Sequence, residues 1–367
     1  MTPQSPKMTV SAFSPRPNRS ISQIVSFFLL TPLFLAFPTP LPAEDGKSLE
    51  DVLREEGIKP YTVPIHLQNQ DWLIQEFGPG DPYPINVSLA AKNMVWQTRE
   101  QIRRGEIPPA QGIIRTFWYT HLKPVLARTN SLNENVDQSA LLHDVLVDLV
   151  RTRDIMRYKD MGFLNNNAGS VAIGKNGHVM LIGEKHGKYA VLEQIAKELN
   201  CTVFTLGGQP SLLSMEYLVD DYKAKRFDIR QSLYLLFVVD YDPAGWIIRD
   251  SVVNDLKFYG MKNIQVFDII LPSILNPDEL ALARFPIPSS HGTINQNWLK
   301  RSGGINGELA GFESDSVPFD RLRQKILDIA TPFVGSPENI RRSNAVAELW
   351  RSLNYLIQVK LGLDTPS

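Results

Sequence analysis

The stretch Leu235 to Gly245, LLFVVDYDPAG, constrains the fold of this chain more than any other. A strand with one face in water alternates apolar and polar residues. An unbroken run of Leu, Phe and Val therefore points to a central strand covered on both faces, as in a parallel sheet. Pro243 and Gly245 then turn the chain into a helix. Asp240 and Asp242 end the run on one side of an extended backbone, because strand side chains repeat every two residues. Two adjacent acids repel each other unless a positive charge lies between them. A hard cation such as Mg2+ takes carboxylate oxygens and brings substrate phosphates with it. The alternative for this pair alone is two solvated turn residues.

The surrounding rhythm supports an α/β fold. His178–Glu184 (HVMLIGE), Cys201–Gly208, Ser232–Asp240 and Asn263–Ile270 read as strands. Tyr189–Asn200, Pro210–Tyr222 and Gly245–Gly260 read as the helices between them. That alternation predicts a parallel, helix-covered sheet with ligands at the carboxyl ends of its strands. Ser170–Gly177 with His178–Glu184 reads as a hairpin or as two edge strands. Residues 285–317, rich in Gly, Ser and Pro, read as a loop, and two helices finish the chain.

Residues 46–165 differ in kind. Asn86–Arg104 and Ser139–Met156 carry apolar stripes at helical spacing, the first through Leu89, Met94, Val95 and Ile102, the second through Leu141, Leu142, Val145, Leu146, Leu149 and Val150. Gln111–Arg128 is an aromatic, basic helix interrupted by Pro124. The expected organisation is therefore an extension over 1–45, a mainly helical domain over 46–165, an α/β domain over 166–285, and a loop with packing helices over 286–367.

Formal net charge is −1, which leaves any nucleic-acid site local. Between Lys92 and Arg128, however, Lys92, Arg99, Arg103, Arg104, Arg115, Lys123 and Arg128 face only Glu100 and Glu106, a local net of +5. That is a phosphate-binding footprint. Arg115 precedes Tyr119 by four residues, which on a helix puts guanidinium and phenol on one face. A phenol is a poor nucleophile unless a cation or base favours the phenolate, and an arginine beside it does that while also clamping a phosphate. The plain alternative is packing: Phe117 and Trp118 in a core, Tyr119 at its edge.

Glu184 ends one strand, Gly207-Gly208 follows another, and Asp240 with Asp242 ends the central one. Three strand ends thus converge on one sheet edge, as a catalytic Mg2+ site requires. GEKHGK (Gly183–Lys188) is not a phosphate loop, since its glycines stand too close and Tyr189 follows Lys188. The single cysteine, Cys201, rules out an intrachain disulfide and reads as a buried thiol. The histidines show no paired metal-ligand spacing.

Lys7, Arg16 and Arg19 precede an apolar stretch, Ile24–Phe37, and a Pro-rich exit with Ala43 before Glu44. That order matches a secretory signal peptide. A membrane-surface anchor and sequence upstream of the native start are the alternatives.

Arg-x-x-x-Tyr in a helical domain, a strand-end Glu and then DxDPxG resemble the A subunit of DNA topoisomerase VI and the related meiotic double-strand-break transesterases. The resemblance runs from about Asn86 to about Leu280. It takes in Gly208-Gln-Pro210 and Tyr217-Leu218, and the loop Gly307–Leu322 is similar to an acidic loop near the family's C-terminus. It implies a winged-helix-like domain followed by a Toprim domain. It also implies Tyr119 as nucleophile, Arg115 as its phosphate partner, and Glu184, Asp240 and Asp242 as Mg2+ ligands. Arg99, Arg103, Arg104, Lys123 and Arg128 would face double-stranded DNA. A homodimer, a separate GHKL-type ATPase B subunit, a cytoplasmic, nucleoid-associated location and no stable membrane partner are implied as well. The chain departs from the family pattern at Ser211, where an Asp is usual, and at Met215, where an Arg is. Two other readings of the same residues are a Toprim endonuclease that uses water and a non-catalytic DNA-binding relative.

Overall fold

A computed structural model describes residues 47–132, 139–165, 170–207, 211–288 and 292–362. The signal-like segment and the Gly208–Pro210 turn lie outside these residues. Five strands form the main sheet: β1 Val171–Ala172, β2 Asn176–Gly183, β3 Cys201–Thr205, β4 Leu233–Val238 and β5 Ile264–Asp268. Their spatial order is β1-β3-β2-β4-β5. β3, β2, β4 and β5 run parallel, with Leu181 opposite Val203 on one side and Leu236 on the other. The chain is thus mixed α/β, with a mostly parallel sheet flanked by helices.

The apolar run of β4 is buried on both faces for the reason its composition gives. Leu236 and Val238 join Val179 and Leu181 of β2 on one face, under helices Tyr189–Leu199 and Phe319–Val334. Leu235 and Phe237 join Met180 and Ile182 on the other, under helices Leu212–Ala224 and Pro243–Phe258. With no water-facing side there is nothing to select polar residues at alternate positions.

Two expectations fail here. Val171–Ala172 does not pair with β2 as a hairpin. It runs antiparallel to β3 at the sheet edge, and β2 lies near the centre between β3 and β4. The apolar core of β2 needs cover on two faces, and an edge position supplies less of it. Residues 285–317 are also not simply a loop. They include helix Gly292–Ser302, anchored by buried Trp298, and a two-stranded ribbon of β6 (Phe285–Pro286) with β7 (Ala310–Gly311).

Among the described residues, 47–165 contain no strand, and the hairpin of a winged helix is not part of what is described there. Helix Val87–Arg103 buries Met94, Val95 and Ile102 as its spacing predicts, and Leu142, Val145, Leu146, Leu149 and Val150 are buried too, while Leu89 and Leu141 are only partly covered. This helical core continues into Leu212 and Leu213 of the sheet half. Residues 42–367 cluster as one unit. Glu216, 3% exposed, ties the halves together: its carboxylate accepts the backbone N–H of Tyr158 (3.1 Å) and of Lys159 (2.9 Å) and the hydroxyl of Tyr259 (3.0 Å). Arg151 and Asp255 add an ion pair of 2.7 Å between the halves.

Candidate functional site

The strand order creates a reversal between β2 and β4. The chain leaves β2 toward β3 on one side and leaves β4 toward β5 on the other. The corresponding helices, Tyr189–Leu199 and Pro243–Phe258, lie on opposite faces of the sheet. Open α/β sheets bind ligands at such a switch point, outside the carboxyl ends of the strands. Glu184 follows the last residue of β2, and Asp240 and Asp242 follow β4.

The backbone brings these acids together. Glu184 Oε2 accepts the N–H of Asp240 at 3.0 Å, and the Glu184 N–H donates to the Val238 carbonyl at 3.3 Å. Asp242 is the N-cap of helix Pro243–Phe258, its Oδ1 accepting the Gly245 N–H at 2.7 Å. Asp-Pro-x-Gly is therefore in part a helix start: cap, first-turn proline, and a glycine where a Cβ would stand 2.2 Å from the Asp240 carbonyl oxygen. Burial and the charges of Asp240 and Asp242 raise the Glu184 carboxyl above its ordinary range, against the Asp240 N–H. Burial and the Asp240 charge raise Asp242 likewise, against the Gly245 N–H.

Beyond β4 the strand is prolonged by another segment. Tyr241 and Phe312 exchange backbone hydrogen bonds of 3.0 and 3.3 Å, and the Ser314 N–H donates to Asp240 Oδ1 at 2.8 Å. Gly311 permits the approach, since a Cβ there would lie 2.4 Å from the Tyr241 carbonyl oxygen. Glu313 and Asp315 thereby reach the same edge. Lys185 spans the group, with its Nζ 3.1 Å from Asp240, 3.1 Å from Glu313 and 3.2 Å from Asp315. Desolvation works against the Lys185 ammonium, but hydrogen bonds to Asp240, Glu313 and Asp315 hold its pKa above the usual lysine range. Lys188 pairs with Asp315 at 2.7 Å. The two lysines of the rejected phosphate loop are thus clamps for an acidic loop. Their role was not legible in GEKHGK itself, although Glu313 and Asp315 stood in plain sight in Gly307–Leu322.

The donor chemistry here suits a hard cation: carboxylate oxygens, among them those of the half-buried Glu184 and Asp242, whose raised pKa values mark negative charge short of compensation. As the side chains stand, no group of three or more acids, histidines or cysteines among the described residues is arranged to hold a metal ion. Lys185 provides the positive charge instead.

Tyr119 sits elsewhere, on the helical half. The helix of Ile114–Phe117 passes through a π turn, Trp118–Leu122, before resuming at Lys123–Arg128. Pro124 gives the cause. It has no N–H for the Thr120 carbonyl and its ring crowds that carbonyl, so the chain widens by one residue and Lys123 bonds the Trp118 carbonyl. Phe117 and Trp118 point inward, at 2% and 4% exposure, while Tyr119 is 46% exposed. Arg115 Nη2 lies 3.4 Å from the Tyr119 hydroxyl, and Lys123 Nζ lies 5.1 Å from the ring centre on the other side along the helix. The phenol is bracketed by two cations.

The remaining basic positions are less available than their count implies. Arg99 is 9% exposed, stacked over Trp96 at 4.9 Å and paired with Glu100 and Asp160. Arg103 pairs with Glu100 at 2.8 Å and Arg104 with Glu106 at 2.6 Å. Arg128 donates to the carbonyls of Gln68 and His66 at 3.0 and 2.6 Å. Lys92 is held by Glu56 and Asp148. A window of sequence counts charges near in the chain, whereas Glu56, Asp148 and Asp160 arrive from outside it. Of the two departures from the family pattern, Ser211 caps helix Leu212–Ala224 and Met215 is fully buried in the sheet core. Cys201 is buried as expected, its thiol pushed up to about 12 by burial.

The acids at the switch point and the cation-bracketed tyrosine thus stand as two clusters on separate elements. No model of a known protein family matches the sequence, and comparison with curated proteins gives no match.

Proposed function

We propose that this chain cleaves and rejoins double-stranded DNA by tyrosine transesterification, in the manner of the A subunit of topoisomerase VI, with a Toprim-type sheet domain. The observation that carries the reading is Tyr119: a half-exposed phenol in a π turn, with Arg115 and Lys123 on its two sides. π turns concentrate at functional sites, but a second one, Asp148–Thr152, lies in the same half, so the weight rests on the cations beside Tyr119. The acids at the β2/β4 switch point support the same reading, as does the resemblance in motif order.

In this reading the Tyr119 hydroxyl oxygen attacks the phosphorus of a DNA phosphodiester. The new P–O bond links Tyr119 to the 5′ phosphate, the P–O3′ bond breaks, the phenolic proton is lost to solvent, and the leaving 3′ oxygen takes up a proton. Arg115 and Lys123 favour the phenolate and hold the phosphate. Mg2+, held by Glu184, Asp240 and Asp242, would supply charge neutralisation at the phosphate and the leaving oxygen. Lys185 must then give up Asp240. Two protomers cut the two strands, and strand passage draws on a GHKL-type ATPase in a separate B subunit. A chromosomal substrate places the work in the cytoplasm at the nucleoid. Among the described residues no helix is long and apolar enough to cross a membrane.

A second reading is hydrolysis by water at the acids alone; under the first, Tyr119 and the acids of one cut come from different protomers, so their lying on separate elements suits both. A two-variant comparison on end-labelled duplex DNA with Mg2+ distinguishes them. Under transesterification, Tyr119→Phe loses both strand breaks and covalent protein–DNA adducts, at least 1,000-fold. Under hydrolysis, Tyr119→Phe keeps cutting while Glu184→Ala loses it. Indifference of DNA to both variants and to the wild-type protein indicates a non-catalytic relative.

A further inference from the structure

Glu184, Asp240 and Asp242 each give one carboxylate oxygen to a backbone N–H: Glu184 Oε2 to that of Asp240, Asp240 Oδ1 to that of Ser314, and Asp242 Oδ1 to that of Gly245. Those bonds fix the three side chains and leave each a second oxygen. At Asp240 the second oxygen, Oδ2, faces the Lys185 ammonium at 3.1 Å. Asp240 is also the acid whose charge both Glu184 and Asp242 feel. Lys185 therefore stands against the carboxylate that a divalent cation shared by these acids has to reach.

The same ammonium has a second place to go. Glu313 and Asp315 lie 3.1 and 3.2 Å from its Nζ, and neither needs Lys185 to stay in position. Their segment is held by the Tyr241–Phe312 backbone pair, by the Ser314 N–H on Asp240, and by Lys188. The Lys188 Nζ donates to the Ser314 carbonyl at 3.2 Å and pairs with Asp315 Oδ1 at 2.7 Å, which leaves Asp315 Oδ2 for Lys185. The partners differ in burial: the Asp240 side chain is 11% exposed, those of Glu313 and Asp315 57% and 55%. A carboxylate near the interior is much costlier to leave without a counter-charge than one in water, so Asp240 keeps Lys185 until another cation replaces it. Once a cation sits on Asp240, like-charge repulsion drives the ammonium off, and the exposed pair receives it.

We propose that Lys185 is a built-in competitor for the divalent cation: its ammonium holds Asp240 until a cation binds there and then passes to Glu313 and Asp315. The Glu313–Asp315 segment thereby sets the metal affinity without supplying a ligand. The inference rests on the reading of Glu184, Asp240 and Asp242 as Mg2+ ligands, and not on Tyr119. A site whose competent arrangement is only part of the population binds its ligand more weakly by that fraction, so removing the competitor tightens binding. Isothermal titration of the full chain with MgCl2, without DNA, measures this directly. Lys185→Gln should bind Mg2+ at least about 10-fold more tightly than wild type, the shift that one neighbouring charge imposes on an ionic equilibrium. Lys185→Arg, which keeps the charge, should not gain. Glu313→Gln combined with Asp315→Asn removes the receiving carboxylates, leaves Lys185 on Asp240, and should weaken Mg2+ by about 10-fold. In the Lys185→Gln background the same two changes should alter affinity by less than about 3-fold, because those acids act through Lys185. Equal or weaker binding by Lys185→Gln overturns the proposal. So does an equal loss from the Glu313 and Asp315 changes in both backgrounds, which would make those acids direct ligands. Both acids are exposed, so an unchanged affinity in that double variant overturns the proposal even where Lys185→Gln fails to fold. Mg2+ binding by none of these proteins overturns it together with the metal site, whereas the full coupling without a DNA adduct on Tyr119 upholds it and sinks the cleavage reading alone.

Discussion

Asp242 does two jobs that ask different things of one carboxylate. As a cap it needs only an oxygen facing the Gly245 N–H, whereas as a ligand it needs its charge. The raised pKa of Asp242, like that of Glu184, shows that the folded state holds the proton more tightly than the unfolded chain does. The corresponding stability is fully present below the unfolded carboxyl pKa and is lost as pH rises through the folded value, so near neutrality the two charges cost stability. Asp242→Asn and Glu184→Gln keep the acceptor oxygens and remove the charges. Each should raise the melting temperature by about 1–3 °C at pH 7.5 without divalent cation. Calorimetry should find the gain shrinking toward pH 4, and Mg2+ should raise the wild type more than either variant. Lower melting temperatures at pH 7.5 would count against buried, uncompensated charge. At the second cluster, Lys123→Ala should reduce the slope of log binding constant against log salt by about 1, whereas Arg103→Ala, removing a cation already paired with Glu100, should leave it nearly unchanged.

Between elements, two contacts decide whether the pieces stay in register. Gly311 lets the Phe312–Asp315 segment prolong β4. In Gly311→Ala the new methyl meets the Tyr241 carbonyl, at a cost of about 1–3 kcal/mol, and should free Glu313 and Asp315 from Lys185. Denaturant titration measures the loss, and faster proteolysis after Arg301 should accompany it. Glu216 accepts two backbone N–H groups across the junction of the halves, and Glu216→Ala, which orphans them, should cost about 3 kcal/mol, with Glu216→Gln closer to neutral. The elements themselves were legible to different degrees. β4 and its helix could be read from LLFVVDYDPAG because burial on two faces and a capped, proline-led helix start each leave a local mark. Helix Gly292–Ser302 could not, since its burial rests on Trp298 and Asn295 amid polar residues. The π turn was visible only as Pro124, which marks a broken helix as readily as a widened one.

For the whole molecule, the acids of Glu184, Asp240 and Asp242 gather at the edge that the strand order predicts, because a parallel sheet puts every strand's carboxyl end on one side. What sequence could not supply was the pairing of distant charges. The +5 window around Tyr119 loses Lys92 to Glu56 and Asp148 and Arg99 in part to Asp160, and the acidic edge gains Lys185 from a motif read as a failed phosphate loop. Arg115 and Lys123 stand beside Tyr119 on the helical half. Whether the Tyr119 phenol becomes bonded to DNA is read by mass spectrometry. The full chain is incubated with duplex DNA and Mg2+, denatured, and digested with trypsin and nuclease. A nucleotide adduct is expected on Tyr119 within the peptide Thr116–Arg128, absent when Mg2+ is chelated. Broken DNA with that peptide unmodified, or an adduct on another residue, would contradict it.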